Sequence, residues 1–213
     1  MAGKEKIVEY RGCESIYVAR VTADDSEEYT CDTPQYLAGA SEISRTIESD
    51  TQTKYYDNGP AIQVSAVSAP ELTLSVSALT NKKLAYITGY AYDTTLDALD
   101  LGDITPVDVA LMYKYQMDNG DASYVVFYKG RFSIPEGSYA TIADDAGSGT
   151  GCELTYKASK TTHAFTATGK QGIGQEYLCP GDDLTKAKAD LSSFFDKVET
   201  PDTIEARTSA STQ

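Results

Sequence analysis

TKYYDNGPAIQVSAVSAPELTLSVSALTNKKLAYITGYAY, residues 53–92, holds a strand pair, one short helix and a second aromatic strand start, and its changes of period decide the fold. From Glu71 to Leu79 the apolar residues are Leu72, Leu74, Val76 and Leu79, while Glu71, Thr73, Ser75 and Ser77 take the other face. Alternation with period two marks a strand with one face buried. At Leu79 the period changes. Thr80 or Asn81 can accept from the free N–H groups of a first helical turn, and Leu84 and Ile87 are spaced for one helical face. Gly89 supplies the left-handed residue that ends a helix. No catalytic residue type is placed among these elements, so the segment reads as scaffold.

Working outward, 213 residues with 41 % hydrophobic content suit one domain with a real core. We read residues 1–200 as that domain and 201–213 as a flexible tail, because ETPDTIEARTSASTQ carries no core residues. Tyrosine supplies the aromatic content, 16 Tyr against 5 Phe and no Trp. A tyrosine packs its ring while its hydroxyl stays hydrogen-bonded, which suits subunit interfaces and β-rich proteins alike. The net charge of −14 argues against gripping a phosphate backbone or an anionic membrane. Solubility alone explains such acidity; a surface past which DNA slides without sticking is the other reading. No apolar run reaches the length of a membrane span, MAGKEKIVEY is not a signal peptide, and synthesis in the cytoplasm is expected. Cys13, Cys31, Cys152 and Cys179 are far apart in sequence and are expected as free thiols.

Residues 7–21 form a first strand region around the turn-like RGCES. Residues 22–60 are acidic, polar and weakly periodic, and read as an extended arm or hairpin for reaching a neighbour. Asn119-Gly120 is a strong two-residue hairpin signal. A two-residue loop would set Met117 opposite Ala122, Tyr115 opposite Tyr124, Tyr113 opposite Val126 and Leu111 opposite Tyr128. One face of that hairpin is apolar. The other is mixed, which calls for cover by the helix or by a neighbouring subunit. DDAGSGTG, residues 144–151, reads as a flexible loop. Cys152, Leu154, Tyr156 and Ala158 then alternate with Glu153, Thr155, Lys157 and Ser159 as a further strand, and THAFTATGK is expected to continue as another. Leu184, Ala187, Leu191, Phe194 and Val198 recur at helical spacing after Asp182-Asp183, which predicts a short C-terminal helix. The fold class is therefore mainly β, a β-sandwich or partly closed barrel flanked by one short α-helix, with a long arm and a short C-terminal helix.

Motifs for chemistry are thin. His163 is the single histidine, and no nucleophile elbow accompanies it; it reads as a strand histidine bonded to nearby threonines. One histidine and scattered cysteines make no zinc site. Asp93, Asp97, Asp100 and Asp103 lack the spacing of a calcium loop and read as a solvated acidic loop. GSGTG and GKQGIG do not complete a phosphate loop. We expect no enzyme, no cofactor and no metal.

With these residues laid out, the chain resembles the major tail protein, or tail tube protein, family of long non-contractile-tailed bacteriophages. The resemblance runs through YVARVTAD (17–24), YTCDTPQYLAGASEIS (29–44), TKYYDNGP (53–60) and LTLSVSALTNKKLAYITGYAYD (72–93). It resumes in YVVFYKGRFSIPE (124–136), ELTYKASKTTHAFTATGK (153–170) and FFDKVETP (194–201). The chain departs from the family in being acidic around 24–28 and 144–145. The resemblance implies a virion protein whose copies form hexameric rings that stack into a tube. A tape-measure protein and then double-stranded DNA pass through the lumen without specific binding. A tail terminator and tail-tip or baseplate proteins close the ends. On that reading Tyr55, Tyr56, Asp57 and Asn58 are expected at a subunit contact, and Glu71, Thr73, Ser75 and Ser77 are expected to face the lumen. An inner-tube protein of a contractile tail or type VI secretion apparatus, and an Ig-like binding or adhesin module, are the other classes weighed.

Overall fold

A computed structural model of the chain describes residues 7–47, 49–56, 59–135 and 151–207, with backbone alone over 49–56 and 59–67 and at 103. In chain order the strands are β1 (Tyr10–Asp24), β2 (Tyr29–Cys31), β3 (Gln35–Tyr36), β4 (Ala40–Thr46), β5 (Ser49–Tyr56), β6 (Gly59–Val67) and β7 (Glu71–Val76). After helix α1 (Asn81–Thr88) come β8 (Tyr90–Asp93), β9 (Ala98–Ile104), β10 (Val109–Met117), β11 (Ala122–Phe127) and β12 (Gly130–Phe132). The remainder are β13 (Cys152–Ala158), β14 (Ala164–Phe165), β15 (Lys170–Gln171) and β16 (Gly174–Cys179). The larger sheet runs β16-β11-β10-β1-β2, with β3 also on β1, and curls into half a barrel. The smaller runs β12-β13-β7-β4. All pairings are antiparallel.

The first core lies between these two sheets. On β7, Leu72, Leu74 and Val76 are buried and Glu71, Thr73 and Ser75 are not, as the alternation requires. β13 repeats the pattern with Leu154, Tyr156 and Ala158 inside. Opposite them the larger sheet contributes Val18, Leu111, Tyr113, Val125 and Phe127. Each fully buried aliphatic side chain here contributes about 2 kcal/mol. Helix α1 closes one flank and packs Ile87 into this core. It starts and stops where expected. Thr80 accepts from the Lys83 N–H, and Gly89 takes φ 84° while its N–H donates to the Ala85 carbonyl.

The turn-like RGCES is a bulge within one long strand rather than a turn. β1 continues through it with a register shift between Glu14 and Tyr17, and Ser15 sits at φ 59°. The hairpin at Asn119-Gly120 also differs by one residue from the expected register. Gly120 N–H donates to the Met117 carbonyl (3.1 Å) and Met117 N–H to the Asp121 carbonyl (2.8 Å), with Gly120 alone at positive φ in this turn. That is a three-residue loop with a left-handed glycine, not a two-residue one. Gln116 therefore pairs with Ala122, Tyr115 with Ser123, Tyr113 with Val125 and Leu111 with Phe127.

Both faces of this hairpin are buried. Met112, Tyr124, Val126 and Tyr128 form a second core on the back of the larger sheet, covered by Phe165, Ala187, Leu191 and Phe194. The cover thus comes from the chain's own C-terminal segment. That segment is not the expected helix: residues 184–198 run as successive turns and bends. Asp183 accepts from the Thr185 N–H and Asp190 from the Ser192 N–H. Such local side-chain-to-backbone bonds compete with helical ones, so the apolar residues reach the core through turns. THAFTATGK is likewise a small hairpin, β14 turning at Gly169 into β15, instead of one strand.

The expected arm divides. Residues 29–46 supply β2, β3 and β4 to the two sheets, while β5 leaves them and pairs solely with β6. Residues 201–207 of the expected tail are tied down as well. The Asp202 carboxylate accepts from the Thr166 and Ala167 N–H groups, and Arg207 N–H donates to the Lys188 carbonyl. Residues 208–213 and the glycine-rich stretch 144–150 lie outside the described residues.

Candidate functional site

The outer face of the smaller sheet is polar from edge to edge, and strand pairing arranges it in transverse rows. Arg131, Lys157, Glu71 and Thr46 form one row; Thr155, Thr73 and Ser44 the next; Glu153, Ser75 and Glu42 the third. Glu71, Thr73 and Ser75 therefore share one surface, as expected. Ser77 does not lie on it in the same way: β7 ends at Val76, and Ser77 is an exposed residue whose N–H donates to the Gly39 carbonyl. Among the described residues the edge strand β4 has a strand partner, β7, on one side only.

Charge on this face is balanced more than the overall −14 suggests. Lys157 Nζ meets Glu71 Oε2 at 3.1 Å, and Arg131 Nε donates to Asp108 Oδ1 at 2.5 Å. The Asp108 carboxylate lies 3.8 Å from Lys129 as well, and Lys129 also pairs with Asp24 at 2.6 Å. Arg131 was not legible as a member of this face, because a three-residue strand carries no periodicity and the residue joins the row only through its pairing with Lys157.

The residues expected at a subunit contact lie at the end of the β5–β6 ladder. Tyr55 pairs with Pro60 and Tyr56 with Gly59, while Asp57 and Asn58 lie outside the described residues.

At the end of the sandwich where β1 begins, the sheets part and leave a cleft of about 390 Å³ lined by Tyr10, Cys13, Ile43, Arg45, Tyr113 and Tyr115. Arg45 of β4 reaches across to Glu176 of β16 (3.2 Å), and the Tyr115 hydroxyl donates to the same carboxylate. Burial pushes the Tyr113 phenol up to about 12, and burial together with the Glu176 bond does the same for Tyr115. Both are neutral at physiological pH. The four cysteines are free, and burial raises the pKa of each thiol, that of Cys31 to about 11. None is activated as a thiolate, so the cleft offers aromatic contact rather than a nucleophile.

His163 is not in a strand but in the bend before β14. Its carbonyl accepts from the Thr161 hydroxyl (2.7 Å) and its N–H donates to Asp24 (2.9 Å), while Nδ1 is buried without a partner among the described residues. The threonine bond expected of its ring goes to its backbone instead. The acidic run 93–103 forms the β8–β9 hairpin. Asp93 accepts from the Thr95 and Leu96 N–H groups and Asp100 from the Gly102 N–H, so two of its carboxylates serve the turns. Among the described residues no three His, Cys, Asp or Glu side chains converge as metal ligands. No helix among them is long and apolar enough to cross a membrane.

Compared with known proteins, the chain matches no family model and no curated protein.

Proposed function

We propose that this protein is a structural subunit of a bacteriophage tail tube, assembling with copies of itself into stacked hexameric rings that conduct DNA. The observation that carries the reading is the smaller sheet. One of its faces seals the core and the other is a polar surface of ten side chains in three rows. Among the described residues β4 is an edge strand of this sheet, hydrogen-bonded to β7 alone, and on this reading it is where a further strand joins. An open edge is a hazard for a solitary protein and a joint for a self-assembling one. Copies joined along such edges would set their polar faces side by side around a channel, through a head-to-tail interface that repeats until it closes. The β5–β6 ladder, which belongs to neither sheet, suits contact with an adjacent subunit or ring. On this reading the partners are further copies, a tape-measure protein inside the tube, and terminator and tip proteins at its ends, all within the virion.

Negative-stain microscopy of the purified protein at rising concentration tests this. Rings or tubes with an open channel are expected, and a monodisperse monomer at high concentration overturns the proposal.

A further inference from the structure

Arg131 and Lys157 are direct cross-strand partners on the outer face of the smaller sheet. Like charges placed opposite each other repel, and two exposed cations side by side are suited to a phosphate group. Here each turns away to its own carboxylate, Lys157 to Glu71 on β7 and Arg131 to Asp108 before β10. Both cations remain 60 % or more exposed, so water-excluding cover is not what keeps them from a ligand. Glu153 lies on the same face, four residues from Lys157 along β13, and pairs with neither cation.

We propose that Glu71 and Asp108 mask this cation pair and so make the sheet face non-adhesive to nucleic acid. The inference rests on the reading of this face as a channel wall, and it names the residues that set the wall's behaviour toward DNA. A wall does not need uniform negative charge to let phosphates pass. It needs no cation free to displace counterions, since that displacement is what drives binding to a phosphate backbone. Pairing with Glu71 in the sheet and with Asp108 just before β10 achieves this, while Thr155, Thr73 and Ser44 separate the two charged rows.

Glu71→Gln and Glu153→Gln change the net charge equally, but only the first releases a cation. Binding of a short DNA duplex to each soluble variant at low ionic strength, followed through the backbone and side-chain NMR signals of Lys157, separates masking from general charge. Glu71→Gln is expected to bind about tenfold more tightly than Glu153→Gln, with a salt slope steeper by about one. Adding Lys157→Gln should remove the gain. Equal behaviour of the two single variants, or a gain that survives Lys157→Gln, overturns the proposal. The comparison is made on unassembled protein, so failure to form tubes counts against the channel reading alone, while this result decides the masking.

Discussion

Asp24 shows how much a single side chain can hold together. Burial pushes its carboxyl up, but the Lys129 ammonium and the N–H groups of Thr162 and His163 more than offset this and keep it below the usual carboxylate range. A depressed carboxyl stabilises the fold fully above its ordinary value of about 4, and that contribution disappears as pH falls through the folded value. Asp24→Asn should therefore cost about 2–3 kcal/mol at neutral pH and much less near pH 2. Urea unfolding midpoints across that range check it, since wild type should lose a component on acidification that the variant never had. The ends of α1 make a second comparison. Thr80→Ala should cost about 1 kcal/mol, the worth of one N-cap. Gly89→Ala should cost about 3 kcal/mol, because φ is 84° and a Cβ there would strike the Thr105 carbonyl. Denaturant titration that ranked the two equally would contradict the structure.

Among the elements, legibility followed how local the determining forces are. β7, α1 and β13 were readable because alternation, a cap and a left-handed glycine each act within a few residues. The hairpin β10–β11 was readable as a hairpin but not in register: Asn-Gly admits a two- or three-residue loop, and one residue exchanges every partner. The C-terminal segment misled for a related reason. Its apolar spacing does mark what is buried, yet Asp183 and Asp190 bond their own following backbone, and periodicity alone does not register that competition. For the polar face, the β7 and β13 residues could be assigned in advance, whereas Arg131 and Asp108 come together only in three dimensions. The β5–β6 ladder yields its own test. Since it pairs with no other strand, Tyr55→Ala with Tyr56→Ala should leave unfolding of the body within about 0.5 kcal/mol of wild type and abolish ring and tube formation. Intact assembly would remove these tyrosines from the contact.

At the scale of the whole molecule, a three-layer arrangement emerges: the small sheet, the large sheet, and the turns of residues 184–204 behind it. Acidic residues without intervening Lys or Arg gather in the β1–β2 turn, with Asp25, Glu27 and Glu28, and in the β8–β9 hairpin. A Lys at 73 would lie opposite Thr155 and Ser44 and find no acidic partner across the strands, whereas a Lys at 75 would lie between Glu153 and Glu42. Thr73→Lys should therefore act more strongly than Ser75→Lys. Within a virion it should slow DNA ejection while tubes still form, and unchanged ejection kinetics would count against a channel-facing sheet.

The double-sided burial of β10 and β11 also orders events in time. β1 cannot meet β10 until residues up to 117 exist, and the back of that sheet stays uncovered until Phe194 and Ile204 arrive. Ladders between such distant segments form slowly. A chain emerging from the ribosome would thus expose Met112, Tyr124 and Val126 to its neighbours until its final turns close over them. Closure of residues 184–204 over this face is then what ends the exposure, and chain concentration during folding, not only the stability of the finished fold, governs how much of the protein aggregates.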